Sequence, residues 1–441
     1  ENKGAAKRFK NFRAATEAGR GDLEREHERR GQRYRLLEEA AAGLGGGGRE
    51  AALKALARRE EEGLLARCKV WTTADFEQVA VLGEGGFGVV HLVRRAGTQE
   101  YYALKQMRKE AYKKKSCRAR IFAERNLLAE TRSRWFVDLL ATFQDARHVY
   151  MAMEFLQGGD LLSHILRRGR LTPRETCFYM AELLEALHTV HKSGFIHRDV
   201  KPDNIVLSGS GHLKLLDFGL CAEQLRGEPP PSAGGRRARL RSEVGTPLYM
   251  APEVLEGEYG SEVDIWSFGV LTFECLTGVQ LFDSGDLDED IEKAFAQFAI
   301  LVKNHSTYVP IALQGVRERF VPPSAEQLIL AVLCERERRL TAEECRREPF
   351  FAGIDWARLH LLKPPFEINV SSPADLKYFE ANPAKLLDKR YQLPPPNASE
   401  LAMKDEALEW TRYEFDRRCC ELQDAELPDA LDALRDGGAN V

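Results

Sequence analysis

The chain has 441 residues, a formal net charge of −4 and 44% hydrophobic residues. This length allows one large catalytic domain with extensions, or several smaller domains. The nearly balanced charge argues against a general nucleic-acid-binding protein, and no apolar run is long enough to predict a membrane span. The nine cysteines are scattered without a Cys-x-x-Cys pair. They favour reduced thiols in the cytosol or nucleus over disulfides or a structural metal site.

The sequence begins with a helical arm and continues into a strand-rich region. Residues 1–67 are rich in Arg, Glu and Ala, which favours helices, and the glycine run at 43–48 separates two of them. From Asp75 onwards, short alternating stretches at 76–82 and 89–93 predict strands. Because the chain starts with Glu1 rather than methionine, a fragment of a longer protein is one interpretation of it.

The following region is predicted to be mainly helical. Apolar spacing predicts helices over 116–130 and 174–192. Proline, glycine and arginine in the segment 223–240 indicate a loop. After Pro364, proline-punctuated stretches indicate a tail that lies over a folded domain. The predicted order is therefore arm, strand-rich lobe, helix-rich lobe and tail.

A glycine-rich turn follows the first predicted strand. Its sequence is Gly-Glu-Gly-Gly-Phe-Gly at 83–88, and Val90 comes shortly after it. Glycine lets the backbone approach phosphate groups closely, and Val90 can cover an adenine ring. Taken alone, the pattern fits a Rossmann turn or a glycine-rich hairpin at least as well.

A lysine and a glutamate downstream fit the same nucleotide. Lys105 lies on the next strand-like stretch, after Ala103, and Glu124 lies on the helix that follows. A lysine that binds the α- and β-phosphates needs a carboxylate to hold its flexible side chain. In isolation, two unrelated surface charges are the better explanation of this pair.

The segment His-Arg-Asp-Val-Lys-Pro-Asp-Asn at 197–204 carries groups for phosphoryl transfer. Asp199 would accept the proton of a substrate hydroxyl, Lys201 would steady the γ-phosphate, and Asn204 would bind Mg²⁺. We predict that a strand at 213–216 then leads to Asp217.

Asp217 begins an Asp-Phe-Gly sequence, and its carboxylate would be the main Mg²⁺ ligand. Mg²⁺ suits this position because it prefers hard oxygen ligands. Ala-Pro-Glu at 251–253 and Asp-Ile-Trp-Ser-Phe-Gly at 264–269 follow in the same order. Five such motifs in this order and spacing make a chance match negligible and predict a protein kinase.

These motifs resemble the eukaryotic protein kinase family over residues 76–351. The resemblance implies an α+β fold class, the bilobal protein kinase fold. Its β-rich small lobe would be residues 75–155 and its α-helical large lobe residues 156–351. A helical regulatory arm at 1–74 and a C-terminal tail at 352–441 would flank this domain.

Within that family, the chain resembles the AGC group through Gly-Gly-Asp at 158–160 and through tail residues such as Phe366 and Phe379. By this resemblance, Met153 is the gatekeeper, and Glu154 and Phe155 form the adenine-binding hinge.

The resemblance also implies that Arg339 pairs with Glu253. Lys201 together with Gly-Thr at 245–246 indicates serine/threonine rather than tyrosine specificity. Asp160 and Asp203 can meet basic residues before the phosphoacceptor, although ribose contact and loop structure are the simpler roles for them.

The expected cofactors are ATP and Mg²⁺, and the expected activity is an ATP-dependent protein serine/threonine kinase acting on protein Ser and Thr hydroxyls. The residues expected to bind ATP are Leu82, Gly83, Glu84, Gly85, Gly86, Phe87, Gly88, Val90, Ala103, Lys105, Glu124, Met153, Glu154, Phe155, Asp160 and Asp203. The residues expected to act in catalysis are Lys105, Asp199 and Lys201, and those expected to bind Mg²⁺ are Asn204 and Asp217.

A finer resemblance is to the NDR/LATS branch. It rests on Asp-Phe-Gly-Leu-Cys at 217–221, on the basic run at 236–241 and on the arm. The arm, with Arg29, Arg30 and Arg33, is similar to the region by which NDR/LATS kinases bind MOB coactivators. A solvated charged helix is the alternative for the arm.

Two phosphorylation sites follow from the same resemblance. Ser242 lies where AGC kinases carry the activation-loop phosphosite, and Arg198 could pair with a phosphate there. Thr411 lies in a degenerate hydrophobic motif in which Ala407 and Arg412 replace the expected aromatic residues. An amphipathic helix with an exposed threonine fits that segment equally well. An upstream activating kinase is implied for both sites.

Two alternatives to an NDR/LATS-like kinase stay open. One is an AGC kinase of another branch whose arm binds no MOB protein. The other is a nucleotide-binding pseudokinase that acts as a scaffold, although Lys105, Asp199 and Asp217 are all present.

Overall fold

The computed structural model describes residues 71–85, 88–131, 133–223, 247–257, 259–282, 291–316, 320–379, 383–386, 388, 391–394 and 415–416. Several residues singled out in the sequence lie outside these ranges: Arg29, Arg30, Arg33, Gly86, Phe87, Ser242 and Thr411. Residues Trp71–Phe415 form one compact unit that contains two lobes. Within the described ranges, none of the helices is long and apolar enough to cross a membrane.

An antiparallel sheet forms the small lobe, with strand order β1-β2-β3-β5-β4. The strands are β1 (Phe76–Gly85), β2 (Gly88–Arg95), β3 (Tyr101–Arg108), β4 (Leu139–Gln144) and β5 (His148–Glu154). β1 is longer than predicted because pairing continues to the hairpin tip, where Gly85 lies opposite Gly88. β2 is also longer at its other end, where Arg94 and Arg95 lie opposite Glu77 and Phe76.

The two faces of this sheet have different roles, because side chains alternate along each strand. Lys105 lies opposite Val90 on β2, and Ala103 lies opposite Met153 on β5. The other face buries an aromatic cluster that includes Trp71 and Phe143. Its rings stack at centroid distances of 4.7 to 5.7 Å. The outer face is thus fixed by packing, while the inner face carries Lys105.

Helix α1 (Lys115–Glu130) follows β3 and matches the predicted helix at 116–130. It packs against the turn that contains Phe218. Its Glu124 is 2% exposed, so the carboxylate is buried between the sheet and that turn. A charged group at such a site requires a charged partner.

The large lobe is built from helices around one continuous core. The helices are α2 (Leu161–Arg168), α3 (Pro173–Lys192), α4 (Pro252–Glu256), α5 (Glu262–Thr277), α6 (Ile291–Lys303), α7 (His305–Val316), α8 (Pro323–Val332) and α9 (Ala342–Cys345). α3 agrees with the predicted helix at 174–192. It begins with a capping box of Thr172 and Glu175 and with Pro173 at its first position.

Helix α5 is the central element of this lobe. Fifteen of its residues are buried, from Val263 to Thr277. Its Gly269 packs against α8, where an added Cβ would lie 2.5 Å from a methyl group of Val332. Glycine therefore permits the close approach of these two helices.

Two short antiparallel strand pairs flank the loops that contain Asp199 and Asp217. β6 (Phe195–Ile196) pairs with β9 (Ala222–Glu223), and β7 (Ile205–Leu207) pairs with β8 (Leu213–Leu215). β8 ends one residue before the predicted 213–216. The Leu216 N–H still donates to the Asn204 carbonyl at 2.8 Å, but the Asn204 N–H donates to the Lys201 carbonyl at 3.1 Å, so the return bond of that pair is not made.

The chain after the large lobe lies along the hinge. Phe366 packs against His164 and Tyr179, with ring centroids 5.1 and 5.0 Å away. Further on, Phe379 lies 5.4 Å from Phe155. The last described element is the two-residue strand β10 (Phe415–Asp416).

Candidate active site

A buried lysine links two carboxylates at the inner face of the small lobe. Lys105 Nζ donates to Glu124 Oε1 at 3.0 Å and to Asp217 Oδ1 at 3.1 Å. Strand β3, helix α1 and the loop after β8 supply the three groups. Glu124 is 19 positions and Asp217 112 positions after Lys105 in the sequence, and the fold brings all three together.

The charges at this site stabilise one another. Burial alone would lower the pKa of Lys105, but the carboxylates of Asp217 and Glu124 raise it well above its usual range. Burial would also raise the pKa of Asp217, yet the ammonium group of Lys105 and the Gly219 N–H lower it. Lys105 is therefore a cation and Asp217 an anion at neutral pH.

A second cluster forms on the loop between β6 and β7. Asp199 is 7% exposed, and its Oδ2 accepts from Asn204 Nδ2 at 2.8 Å. Lys201 Nζ lies 3.0 Å from the same oxygen. Asn204 Nδ2 also donates to the Asp199 carbonyl at 2.8 Å. The three residues predicted to act on the hydroxyl, the phosphate and the metal thus share one carboxylate.

Two contacts hold this loop beside the Asp217 loop. His197 Nε2 lies 3.0 Å from the Leu216 carbonyl. The ring of Phe218 packs between His197 and Phe136, with centroids 5.0 Å from each. The Asp199 and Asp217 clusters are consequently neighbours, which their motif order alone does not establish.

Asp264 is an anchor that the sequence reasoning did not identify as a site residue. It is fully buried, and its carboxylate accepts from the backbone N–H groups of His197 and Arg198 at 2.8 Å each. His191 Nε2 lies 2.8 Å from it. Burial would raise the pKa of Asp264, but His191, His197 and the Arg198 N–H lower it. Asp264 could have been recognised in the sequence because it is the first residue of the motif at 264–269.

Two backbone positions near these clusters are in the left-handed region. Arg198 has a φ of 67° and Asp217 a φ of 52°. Such conformations are unfavourable for residues with a Cβ and persist where surrounding contacts impose them. Arg198, predicted to meet a phosphate on Ser242, here donates to the Leu220 and Cys221 carbonyls and to the Tyr259 hydroxyl.

The glycine-rich hairpin leaves open space beside its backbone. A Cβ built at Gly83 or Gly85 would meet no atom within 4 Å. Gly88 has a φ of 140°, and an added Cβ would lie 2.1 Å from the Gln106 carbonyl oxygen. Gly88 is therefore required by the sheet itself, whereas the space at Gly83 and Gly85 can receive a ligand.

The predicted hinge lies where β5 leaves the sheet. The carboxylate of Glu154 accepts from the Asp138 N–H at 2.8 Å and pairs with Lys214. Asp160 caps helix α2, since its Oδ1 accepts from the Ser163 N–H at 2.7 Å. Both side chains thus have structural contacts of their own.

The predicted pairing of Arg339 with Glu253 is confirmed. Both terminal guanidinium nitrogens of Arg339 contact the Glu253 carboxylate, Nη2 at 3.2 Å. Arg339 also donates to the Glu262 and Cys334 carbonyls, at 3.1 and 3.0 Å. Its side chain has no exposed area. The pair ties the Ala-Pro-Glu segment at 251–253 to the large-lobe core.

A third acidic residue joins Asp160 and Asp203 and was missed in the sequence. Glu274 on α5 is 4% exposed and accepts a hydrogen bond from the Tyr249 hydroxyl. Burial, and beyond it the negative charge of Asp203, raises the pKa of Glu274. Burial likewise raises the pKa of Asp203, with Asp160 and Asp199 adding to the effect. Glu274 lies 71 positions after Asp203, and no motif connects the two.

Comparison with known proteins agrees with this geometry. The protein kinase domain model matches residues 76–351. Serine/threonine-protein kinase sax-1 of Caenorhabditis briggsae is 35% identical over 387 residues, which is 80% of this chain and 79% of that protein. Serine/threonine-protein kinase tricornered of Drosophila pseudoobscura pseudoobscura is 33% identical over 399 residues, or 83% and 84% of the two chains.

A third relative is longer than this chain. Serine/threonine-protein kinase CBK1 of Candida glabrata is 34% identical over 380 residues, covering 74% of this chain and 48% of that protein. The chain thus spans about half the length of that relative. From the domain match and these relatives together, the chain belongs to the protein kinase family and, within it, to the NDR/LATS-type AGC serine/threonine kinases.

Proposed function

We propose that this chain transfers the γ-phosphate of ATP to serine and threonine hydroxyls of protein substrates. The observation that carries the proposal is that Lys201 and Asn204 both bind Oδ2 of Asp199, beside the Lys105–Asp217 pair. Magnesium-dependent transfer of labelled phosphate to a serine or threonine peptide tests it.

The nucleotide side of the site is formed by the small lobe. The open space at Gly83 and Gly85 suits phosphate oxygens, because glycine exposes backbone N–H groups without a side chain. Lys105 supplies the positive charge next to it, and Glu124 keeps that side chain in place. Together these groups would orient ATP and neutralise charge that develops on the phosphates.

Asn204 and Asp217 fit a magnesium ion. Asn204 uses its amide nitrogen for both bonds to Asp199, so its amide oxygen is the atom it can offer a cation. Asp217 is ionised and supplies a hard carboxylate oxygen. When bound, Mg²⁺ would neutralise the phosphate oxygens.

Asp199 would act on the substrate hydroxyl. As the hydroxyl oxygen bonds to the γ-phosphorus, the bond from that phosphorus to the bridging oxygen breaks and ADP leaves. The hydroxyl proton passes to the Asp199 carboxylate, which Asn204 holds in a fixed orientation. Lys201, bound to the same carboxylate, would steady the transferred phosphate.

A preference for basic peptides follows from the acidic residues beside this site. The negative charge of Asp160 adds to the rise in the pKa of Asp203, and that of Asp203 adds to the rise in the pKa of Glu274, beyond the effect of burial. A cationic side chain before the phosphoacceptor would relieve that repulsion. We expect Asp203→Asn to lower kcat/KM about tenfold for peptides with an upstream Arg. Peptides without a basic residue would lose much less.

Peptide arrays with the wild type and the variant measure this preference. Glu343→Gln serves as the control, since Glu343 lies on the surface of α9 and its side chain is half exposed. Equal phosphorylation of peptides with and without upstream Arg, Lys or His by the wild type would refute the preference.

The regulation we propose follows the NDR/LATS pattern. An upstream kinase would phosphorylate Ser242 and Thr411, and a MOB-type coactivator would bind the arm through Arg29, Arg30 and Arg33. The relatives and the similarity of the arm to the NDR/LATS regulatory region support this proposal. Action in the cytosol, the nucleus or both accords with it.

Kinase assays with and without a MOB protein test the regulation. We expect MOB to stimulate the phosphorylated chain, and Ser242→Ala with Thr411→Ala to remove that stimulation. Reversing Arg29, Arg30 and Arg33 to Glu would weaken MOB retention at least about tenfold, with steep salt dependence. Arg347→Glu on the exposed surface is the control. Unchanged retention would favour an AGC kinase of another branch.

A pseudokinase scaffold is the alternative from a different functional class. It would bind nucleotide or partners without transferring phosphate. The complete set of Lys105, Asp199 and Asp217 and their contacts favour the active enzyme.

A further inference from the structure

The tail contacts the outer side of the glycine-rich hairpin. Tyr391 is 7% exposed, and its hydroxyl donates to Glu84 Oε2 at 2.6 Å. Lys385 Nζ lies 3.6 Å from the same oxygen and 5.3 Å from the centre of the Tyr391 ring. Two tail side chains, about 300 positions away in sequence, therefore converge on one carboxylate oxygen.

Strand β1 fixes the position of Tyr391. Gln78 Nε2 donates to the Tyr391 carbonyl at 2.8 Å, and Gln78 Oε1 accepts from the Leu393 N–H at 3.0 Å. Leu393 also packs against the aromatic cluster on the outer face of the sheet. One amide side chain thus binds the backbone on both sides of residue 392. These contacts hold the Tyr391 segment against the strand that carries Glu84.

Glu84 gives the tail a side chain to bind in the glycine-rich hairpin. It lies between Gly83 and Gly85, which have none, and its backbone pairs with Val89 of β2. A hydrogen bond to a carboxylate is about twice as strong as one between neutral groups. Holding this carboxylate restrains a backbone that glycine otherwise leaves free.

We propose that Tyr391 is a positioning residue that holds the glycine-rich hairpin, through Glu84, in the conformation that receives the phosphates of ATP. The proposal rests on the proposed function of that hairpin. Its effect would be on nucleotide affinity, because an ordered hairpin loses less conformational freedom when ATP binds. Asp199 and Lys201 lie on the other lobe, so turnover at saturating ATP should change little.

The test compares Tyr391→Phe, Glu84→Ala and the double variant. Tyr391→Phe retains the ring and loses only the hydroxyl. We expect it to raise the KM for ATP about three- to tenfold while kcat stays nearly unchanged. The amides of residues 83–88 should also exchange hydrogen faster in the nucleotide-free protein. The KM for ATP of the double variant should be no higher than that of the more affected single variant, since the two substitutions remove the same hydrogen bond.

Tyr102→Phe is the matched control. Tyr102 lies on β3 of the same sheet and donates its hydroxyl to another carboxylate, Glu100 Oε2, at 3.2 Å. It should change neither the KM for ATP nor exchange at 83–88. Wild-type values of both quantities in Tyr391→Phe would overturn the proposal, and so would additive effects of the two single variants. Hydrogen exchange needs no catalysis, so it tests the role of Tyr391 even if the wild type transfers no phosphate. An absence of phosphate transfer by the wild type would contradict the proposed function, not the role of Tyr391.

Discussion

Replacing Lys105 by methionine is expected to reduce phosphoryl transfer about a thousandfold or more. Methionine fills a similar volume but carries no charge. It removes the cation beside the phosphate space and leaves Glu124 and Asp217 without their shared partner. The loss should appear mainly in kcat, because the missing charge stabilises the transition state more than the bound nucleotide. The measurement is the initial rate of peptide phosphorylation at saturating ATP and Mg²⁺.

A second buried lysine of the same lobe provides the control. Lys109 is 7% exposed, and its Nζ donates to Gln144 Oε1 at 2.8 Å, away from the Asp217 loop. Lys109→Met should lower stability but retain most of the activity. Equal rates for Lys105→Met and the wild type would rule out the assigned role of Lys105.

Replacing Arg339 by methionine is expected to lower the free energy of unfolding by about 3–5 kcal/mol. The guanidinium is buried, and its removal leaves the Glu253 carboxylate, which is 5% exposed, without a counter-charge. The Glu262 and Cys334 carbonyls each lose a donor as well. Contact with the Trp266 ring, 5.0 Å from the guanidinium carbon, would be retained in part by the methionine.

Urea unfolding followed by circular dichroism measures the change. Arg347→Met is the matched control, because Arg347 pairs with Glu343 on the surface and is 74% exposed. An exposed ion pair of this kind contributes little to the free energy of unfolding. The double variant Arg339→Met, Glu253→Met should recover part of the lost stability, since it leaves no unpaired buried charge. A loss in Arg339→Met no larger than that in Arg347→Met would contradict the importance of the buried pair.

Motif order predicted much of the catalytic site, because the separate segments are recognisable without knowing their contacts. Lys105 and Glu124 were paired correctly although 19 positions separate them. The helices at 115–130 and 173–192 also followed from apolar spacing, although the second is buried on all sides from Phe178 to Leu184.

Contacts between distant segments could not be predicted in the same way. Nothing in the spacing of Glu84 and Tyr391, or of His197 and Asp264, indicates that the chain brings them together. Such contacts depend on how helices and sheet pack, and a single sequence does not show that. The MOB-binding arm and the two phosphosites remain predictions, since Arg29, Ser242 and Thr411 lie outside the described residues.

The buried carboxylate of Asp264 has a consequence for folding. Loops usually open independently of the helices beside them. Here the backbone N–H groups of His197 and Arg198 are held by a side chain from the most buried helix of the large lobe. We therefore expect the loop at 197–204 and α5 to open together rather than separately. A core substitution that loosens α5 would then shift Asp199 indirectly, through Asp264, even if the substituted residue does not contact Asp199. Such a substitution would lower activity as well as stability, so both limit which mutations this core tolerates.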